Sequence, residues 1–223
     1  MQTEILHYPG GTISKDKVLS LDVDAEKGFT PLCPNELPVP QGHLIDGELN
    51  LQAGYARYRA VSKDAHPRSS KWAANEKHQQ LDPITGEPDM DVHWNLHTLV
   101  GEYGHELIPE LPHMREYDFW AIKGTEPDMH PYGACYQDLD KRISTGLIEW
   151  AIVKGVKVVI VGGLALDYCV AETVRELLAA GFVVILNLGA TRAISEDGGR
   201  ATVEELRSKG AVIINSAAEL TVD

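Results

Sequence analysis

The segment VKVVIVGGLALDYCVAETVRELLAAGFVVILNLGATRAISEDGGRATVEELRSKGAVII, residues 156–214, decides the fold. Its three short apolar runs, at 156–161, 182–186 and 211–214, have the length and composition of parallel strands buried on both faces. Between them lie two helical patterns, 169–180 and 196–209, each followed by a glycine, Gly181 and Gly210, where a helix C-terminus favours one. Strand, helix, strand, helix, strand with right-handed crossovers sets the three strands in one parallel sheet. Toward the N-terminus, apolar runs at 18–23, 55–61 and 119–122 read as further strands. Two long polar or proline-rich stretches, 28–42 and 64–112, interrupt this half. Loops of such length in a compact domain are usually functional or disordered. No linker-like shift in composition, internal repeat or low-complexity tract divides the chain. Residues 1–223 therefore read as a single α/β domain, a mostly parallel sheet with helices on both faces in a three-layer, Rossmann-like arrangement.

Composition narrows the functional classes. The 223 residues carry 33 acidic and 20 basic side chains, a net charge of −13, and no Lys/Arg-rich run. That balance argues against nucleic acid, because phosphate binding needs clustered positive charge. With 43% hydrophobic residues, the chain can bury a full core without disulfides or metal staples. The three cysteines, Cys33, Cys135 and Cys169, are far apart and odd in number. This suits a reducing compartment rather than a disulfide framework. The opening MQTEILHYPGGTISKDK lacks a basic region followed by an apolar run, and no stretch approaches the roughly 18 apolar residues of a membrane span. The expectation is a cytoplasmic protein with a small-molecule partner and neither nucleic acid nor membrane.

In an open parallel sheet, ligands gather beyond the carboxyl ends of the strands. There the chain has Asp24, then Asp64 and His66, then Lys123, and then Gly163 followed by Cys169; Trp94 and His97 lie in the long loop. Cys169 falls where a strand breaks at Gly162 and Gly163 and a helix opens around residues 168–170. A thiol at a helix start is activated by the dipole and by free N–H groups, which also face any oxyanion beside the sulfur. The alternative is a buried cysteine packed as a small hydrophobe. All nine histidines lie at or before His130, so a base downstream of Cys169 is absent. A carboxylate takes that role instead: Asp24, with Asp22 as a rival on the same strand face. Lys123 at a strand end could neutralise developing charge, or could be a solvated turn lysine. Asp64 and His66, two apart on an extended chain, can face one ion, with His97, or His93 four residues earlier, supplying another imidazole.

Together these residues resemble the nicotinamidase/pyrazinamidase branch of the isochorismatase-like cysteine hydrolases, over about residues 18–214. DAEKGFTP (24–31) is similar to the family's D-x-Q-x-x-F-x-P, and this register selects Asp24 over Asp22. DAHP (64–67) resembles D-W-H-P, and WNLHTLVG (94–101) resembles W-P-x-H-C-x-x-G. KGTEP (123–127), followed by Tyr132 and Ala134, resembles K-G with a later Y-S-A-F. GLALDYCV (163–170) resembles G-x-A-T-D-x-C-V. The resemblance implies an Asp24–Lys123–Cys169 triad and a cis peptide between Leu164 and Ala165. It implies an oxyanion hole from the Ala165 and Cys169 N–H groups, and a ring pocket of Phe29, Trp94 and Tyr132. It also implies one divalent ion, zinc ahead of iron or manganese, on Asp64, His66 and His97. The implied reaction is hydrolysis of a small amide, nicotinamide to nicotinate and ammonia, through a thioester. Another small amide or carbamoyl compound, or a non-catalytic binding role, are the alternatives. By analogy a homo-oligomer is expected.

The chain departs from the pattern at Glu26 for Gln, Leu166 for Thr, Asn95 for Pro and Thr98 for Cys. Ser70 stands roughly where many relatives have an additional histidine ligand. The insertion NEKHQQLDPITGEPDMD, residues 75–91, is expected either to cover the pocket or to form an oligomer contact.

Overall fold

The computed structural model describes residues 4–223; the first three residues of the opening segment read above lie outside it. Six strands form the main sheet: β3 (Val18–Val23), β4 (Tyr58–Asp64), β5 (Phe119–Lys123), β6 (Val158–Leu164), β7 (Val183–Arg192) and β8 (Val212–Ile214), ordered β5-β4-β3-β6-β7-β8. All neighbouring pairs are parallel. The chain runs outward from β3 through β4 to β5, then crosses back to β6 and builds the other half. The order therefore reverses between β3 and β6, the switch point at which such sheets open a crevice.

One face packs Leu19, Leu21, Val23, Val159, Val161, Val184 and Leu186 against α2 (Leu147–Val153), α3 (Ala171–Ala179) and α4 (Glu196–Ser208). The other buries Val18, Val158, Ile160, Ile185 and Ile214 under a three-stranded antiparallel ribbon of β1 (Ile5–Tyr8), β2 (Gly11–Ser14) and β9 (Thr221–Val222). Beside it, α1 (Asp46–Ala53) contributes Leu49 to a cluster with Ile45, Leu164 and Ala190. Each fully buried Val, Leu or Ile side chain contributes about 1.5–3 kcal/mol, so these two apolar layers hold the sheet. Helices thus cover both faces, as the apolar strand runs predicted.

Several boundaries differ from the sequence reading. The strand predicted at 55–61 runs Tyr58–Asp64: Tyr55 and Ala56 are held in the turn after α1, while the polar Ser62, Lys63 and Asp64 stay in the sheet because each finds a partner. The strand starting at 156 was expected to break at Gly162 and Gly163, yet β6 continues through both to Leu164. At Gly163, φ is +129° and a Cβ would lie 1.9 Å from the Val23 carbonyl oxygen, so the glycine permits this approach of β6 to β3. The strand predicted at 182–186 extends to the ten-residue β7. Cys169 lies in a single π-type turn, Leu166–Val170, immediately ahead of α3, rather than in the helix itself. The antiparallel ribbon, α1 and α2 were not anticipated; all are short, and α1 buries only Leu49 and Gln52, too little to print a period.

Candidate active site

The carboxyl ends of β3, β4, β5 and β6 deliver Asp24, Asp64, Lys123 and, one turn later, Cys169 to one place. The paired register Asp64↔Lys123 and Val23↔Gly163 sets their spacing. Just past β3 the backbone of Asp24 turns with φ +44°, swinging its carboxylate out of the sheet. Ser62 donates to Asp24 Oδ1 at 2.6 Å. Lys123 Nζ sits 2.9 Å from Asp24 Oδ2 and also binds Asp64 Oδ1. All three side chains are essentially fully buried. A ligand atom of each of Asp24, Asp64 and Cys169 lies within 4.8 Å of the others. Asp22, the rival, is engaged elsewhere: its Oδ2 accepts from Arg59 and from the Tyr117 hydroxyl.

Burial sets the electrostatics of this cluster. It pushes the Cys169 thiol well above its usual value, with the Lys123 ammonium opposing and the Asp24 and Asp64 carboxylates adding to the rise. Burial thus acts against the thiolate that a helix start is expected to favour. Burial likewise raises the Asp24 carboxyl, with Lys123 pulling it back. For Asp64, burial is overcome by Lys123 and then His66, which hold the carboxyl well below its usual range. Burial disfavours the charged Lys123, but Asp24 and Asp64 more than compensate and raise it well above a free lysine. Raising the Asp24 carboxyl makes it a better acceptor for a proton from the neighbouring thiol.

Against Asp64 lies a set of imidazoles. His66 Nδ1 bonds the Gly124 carbonyl at 2.9 Å and His97 Nδ1 bonds the Asn95 carbonyl at 2.6 Å. Each backbone acceptor fixes the tautomer so that Nε2 presents its lone pair. These Nε2 atoms lie 3.4 and 3.8 Å from Asp64 Oδ2. The His66 arrangement depends on Gly124, whose φ is +71° and whose place a Cβ would fill only by lying 2.4 Å from the imidazole Cε1. His66 Nε2 is buried and makes no hydrogen bond, so this donor set fits a divalent cation. His93 is elsewhere, stacked on His78 and bonded to the Trp72 carbonyl. The Ser70 hydroxyl is committed to the Pro67 carbonyl. Sequence reasoning missed His130, which the structure brings within 4.8 Å of His66 and His97; its only signal was its place between Lys123 and Tyr132 in KGTEPDMHPY.

A small, mainly apolar pocket opens onto Cys169, lined by Phe29, Trp94, Tyr132, Ala165 and Tyr168, with His97, His130 and Asp64 at its polar end. The Leu164–Ala165 peptide is cis, as the resemblance implied. Trp94 Nε1 donates to the Tyr132 hydroxyl at 3.1 Å, which donates in turn to Asp91 at 2.8 Å. Asp91 ends the 75–91 insertion; Met90 of the same segment is buried and Ile84 packs on the cluster containing Phe29 and Trp94. The insertion therefore braces Trp94 and Tyr132 from behind, and none of its residues lines the pocket itself. The remaining cysteines are free: Cys33, whose thiol burial pushes up to about 11, and Cys135, buried against Glu176.

The departures from the family pattern serve the backbone. Glu26 accepts the Asp64 N–H at 2.8 Å, and the Thr98 N–H donates to Glu36 at 2.8 Å. No helix among the described residues is long and apolar enough to cross a membrane.

The family model described as the Isochorismatase domain matches residues 89–218. A nicotinamidase of Acinetobacter baylyi is 28% identical over 79% of this chain and 81% of its own length. Among solved structures, a nicotinamidase and pyrazinamidase of Acinetobacter baumanii superposes with a TM-score of 0.82 at 25% identity, covering 92% of this chain and 98% of that one. A pyrazinamidase of Pyrococcus horikoshii in complex with zinc gives a TM-score of 0.69 at 25% identity over 89% and 98% of the two chains.

Proposed function

The chain belongs to the isochorismatase family, and from that membership we propose that it is an amidohydrolase that converts nicotinamide to nicotinate and ammonia. One observation carries this reading: a buried thiol beside the Asp24–Lys123 pair opens on a small aromatic pocket whose lining also includes Asp64, His97 and His130. The aromatic lining suits a flat heteroaromatic amide, with its carboxamide at the sulfur and its ring nitrogen toward the imidazoles.

In this mechanism Asp24 takes the thiol proton as Cys169 Sγ attacks the carboxamide carbon. Lys123 keeps Asp24 oriented and balances the charge that the proton transfer moves. The N–H groups of Ala165 and Cys169 stabilise the oxyanion. Ammonia departs with the proton returned from Asp24 and leaves a thioester, which water hydrolyses with Asp24 again as base. Phe29, Trp94 and Tyr132 hold the ring and exclude bulk water. A divalent ion held by Asp64, His66 and His97 would supply a Lewis-acid site for the pyridine nitrogen. Residues 1–223 act as one hydrolase domain in this reading.

Ammonia release from nicotinamide, pyrazinamide and a simple aliphatic amide tests the proposal. The expected result is turnover of both ring amides well ahead of the aliphatic one. Preference for the aliphatic amide would assign a different substrate, and no turnover of any would leave a binding protein.

A further inference from the structure

Resting on the reading of this site as a metal centre and deepening it, we propose that His130 is a third imidazole ligand of the ion, joining His66, His97 and Asp64. Three observations carry it. First, one ring nitrogen of each of His66, His97 and His130 lies within 4.8 Å of the others. An ion about 2.1 Å from each nitrogen draws such atoms together by roughly an ångström, a shift that side-chain rotation supplies. Second, both ring nitrogens of His130 lack any hydrogen-bond partner although the residue is only 3% exposed. A buried polar group left so costs about 1–3 kcal/mol, and coordination would satisfy one of the two. His66 and His97 have their Nδ1 atoms fixed by backbone carbonyls; His130 alone is free to turn either nitrogen toward an ion. Third, the ring is already posted at the site. Its backbone N–H is bonded to the Asp89 carbonyl at 2.8 Å, and its ring stacks on His66 and meets Trp72 edge-on with centroids 4.5 Å apart.

The segment after His66 offers no competing donor, since the Ser70 hydroxyl is used locally and Trp72 presents an indole whose nitrogen can only donate. Four protein donors would fill a tetrahedral ion, so a substrate ring nitrogen could join only at five- or six-coordination. The ion that best supports turnover should accordingly be one that readily exceeds four ligands.

The test reads the metal itself. The full chain is stripped with a chelator, and zinc is titrated back against a competing chromophoric chelator for the wild type, His130→Ala, His130→Glu and His97→Ala. The loaded wild type is also examined by zinc K-edge X-ray absorption, which counts imidazoles whether or not any variant folds. The expected result is one zinc bound by three imidazoles. His130→Ala should weaken zinc binding at least about tenfold, the loss that even an outer-shell partner of a ligand can cause. His130→Glu, which restores a donor, should recover part of it. A zinc site with two imidazoles in the wild type, or His130→Ala binding zinc as tightly as wild type, overturns the proposal and leaves His130 as pocket wall while the metal centre stands. Wild type that takes up no zinc overturns the metal centre itself, and His130 with it.

Discussion

Replacing Lys123 by Met removes the ammonium that bridges two buried carboxylates while keeping most of the side-chain volume. In the wild type, Lys123 Nζ lies 2.9 Å from Asp24 Oδ2 and bonds Asp64 Oδ1, with all three groups out of solvent. Deleting one partner of a buried ion pair costs about 3–5 kcal/mol, because the remaining charge is uncompensated. For a chain of this length that is a fall in Tm of roughly 6–20 °C. The pH dependence identifies the cause. Lys123, with its pKa raised above 10.5, stabilises the fold below that value and is lost only as pH rises through the folded pKa. Asp64, with its pKa lowered, stabilises above 3.8 and is lost only as pH falls through the folded value. These two contributions should therefore be level between about pH 5 and 9, while Asp24, whose carboxyl burial raises, favours the fold less as pH rises through its folded value. In Lys123→Met the carboxylates keep their burial but not their cation, so their pKa values rise. The variant should gain about 1.4 kcal/mol per pH unit for each proton taken up on acidification. Urea unfolding of chelator-treated wild type and variant at pH 8 and pH 6 measures this. Equal stability at pH 8, or a variant whose deficit does not shrink at pH 6, would refute the buried charged triad.

Three further outcomes are expected. Cys169→Ala should abolish amide turnover while its unfolding free energy stays within about 1 kcal/mol of wild type; iodoacetamide should alkylate Cys169, which lines the pocket and has Asp24 beside it to take the thiol proton, before Cys33 or Cys135, and activity in the alanine variant would end the covalent mechanism. Asp24→Asn should lower kcat by about 10²–10⁴, the usual worth of a positioned acid–base group, whereas Asp22→Asn should act on stability through Arg59 and Tyr117; the reverse pattern in paired kinetics and melts would reassign the base. Exhaustive chelation, or His97→Ala, should impair nicotinamide turnover far more than benzamide turnover, since benzamide has no ring nitrogen, and equal losses on the two substrates would remove the ion from substrate binding.

How legible each feature was in the sequence follows from where its physics resides. The βαβαβ core from 156 to 214 was readable because two amphipathic patterns alternate with buried strands. β4 was misplaced by three residues at each end because its polar end, Ser62 to Asp64, has no hydrophobic mark; those side chains stay in the sheet only through partners on other elements. The choice between Asp22 and Asp24 could not come from strand alternation, which sets both on one face. It is decided at the sheet's end, where Asp24 leaves the strand with φ +44° and meets Ser62 and Lys123, while Asp22 remains inside and pairs with Arg59. His130 was unreadable for a related reason, since an isolated histidine in a loop gains meaning only when segments carrying His66, His97 and Trp72 close around it.

The same distinction explains why the departures at Glu26, Asn95 and Thr98 leave the candidate site assembled. Asn95 contributes its carbonyl to His97, Thr98 its N–H to Glu36, and Glu26 a carboxylate oxygen to the Asp64 N–H. At the first two positions the work is done by the backbone, which many side chains leave intact. At the third the essential element is an acceptor oxygen, which glutamine also has. In the proposed mechanism Asp24, Lys123 and Cys169 have no such latitude, because each must carry a particular charge or proton. A site of this kind therefore tolerates change in the residues that shape it and little in those that exchange protons. A chain about a quarter identical to a solved relative can accordingly keep its fold, with Asp24, Lys123 and Cys169 still gathered at one edge of the sheet.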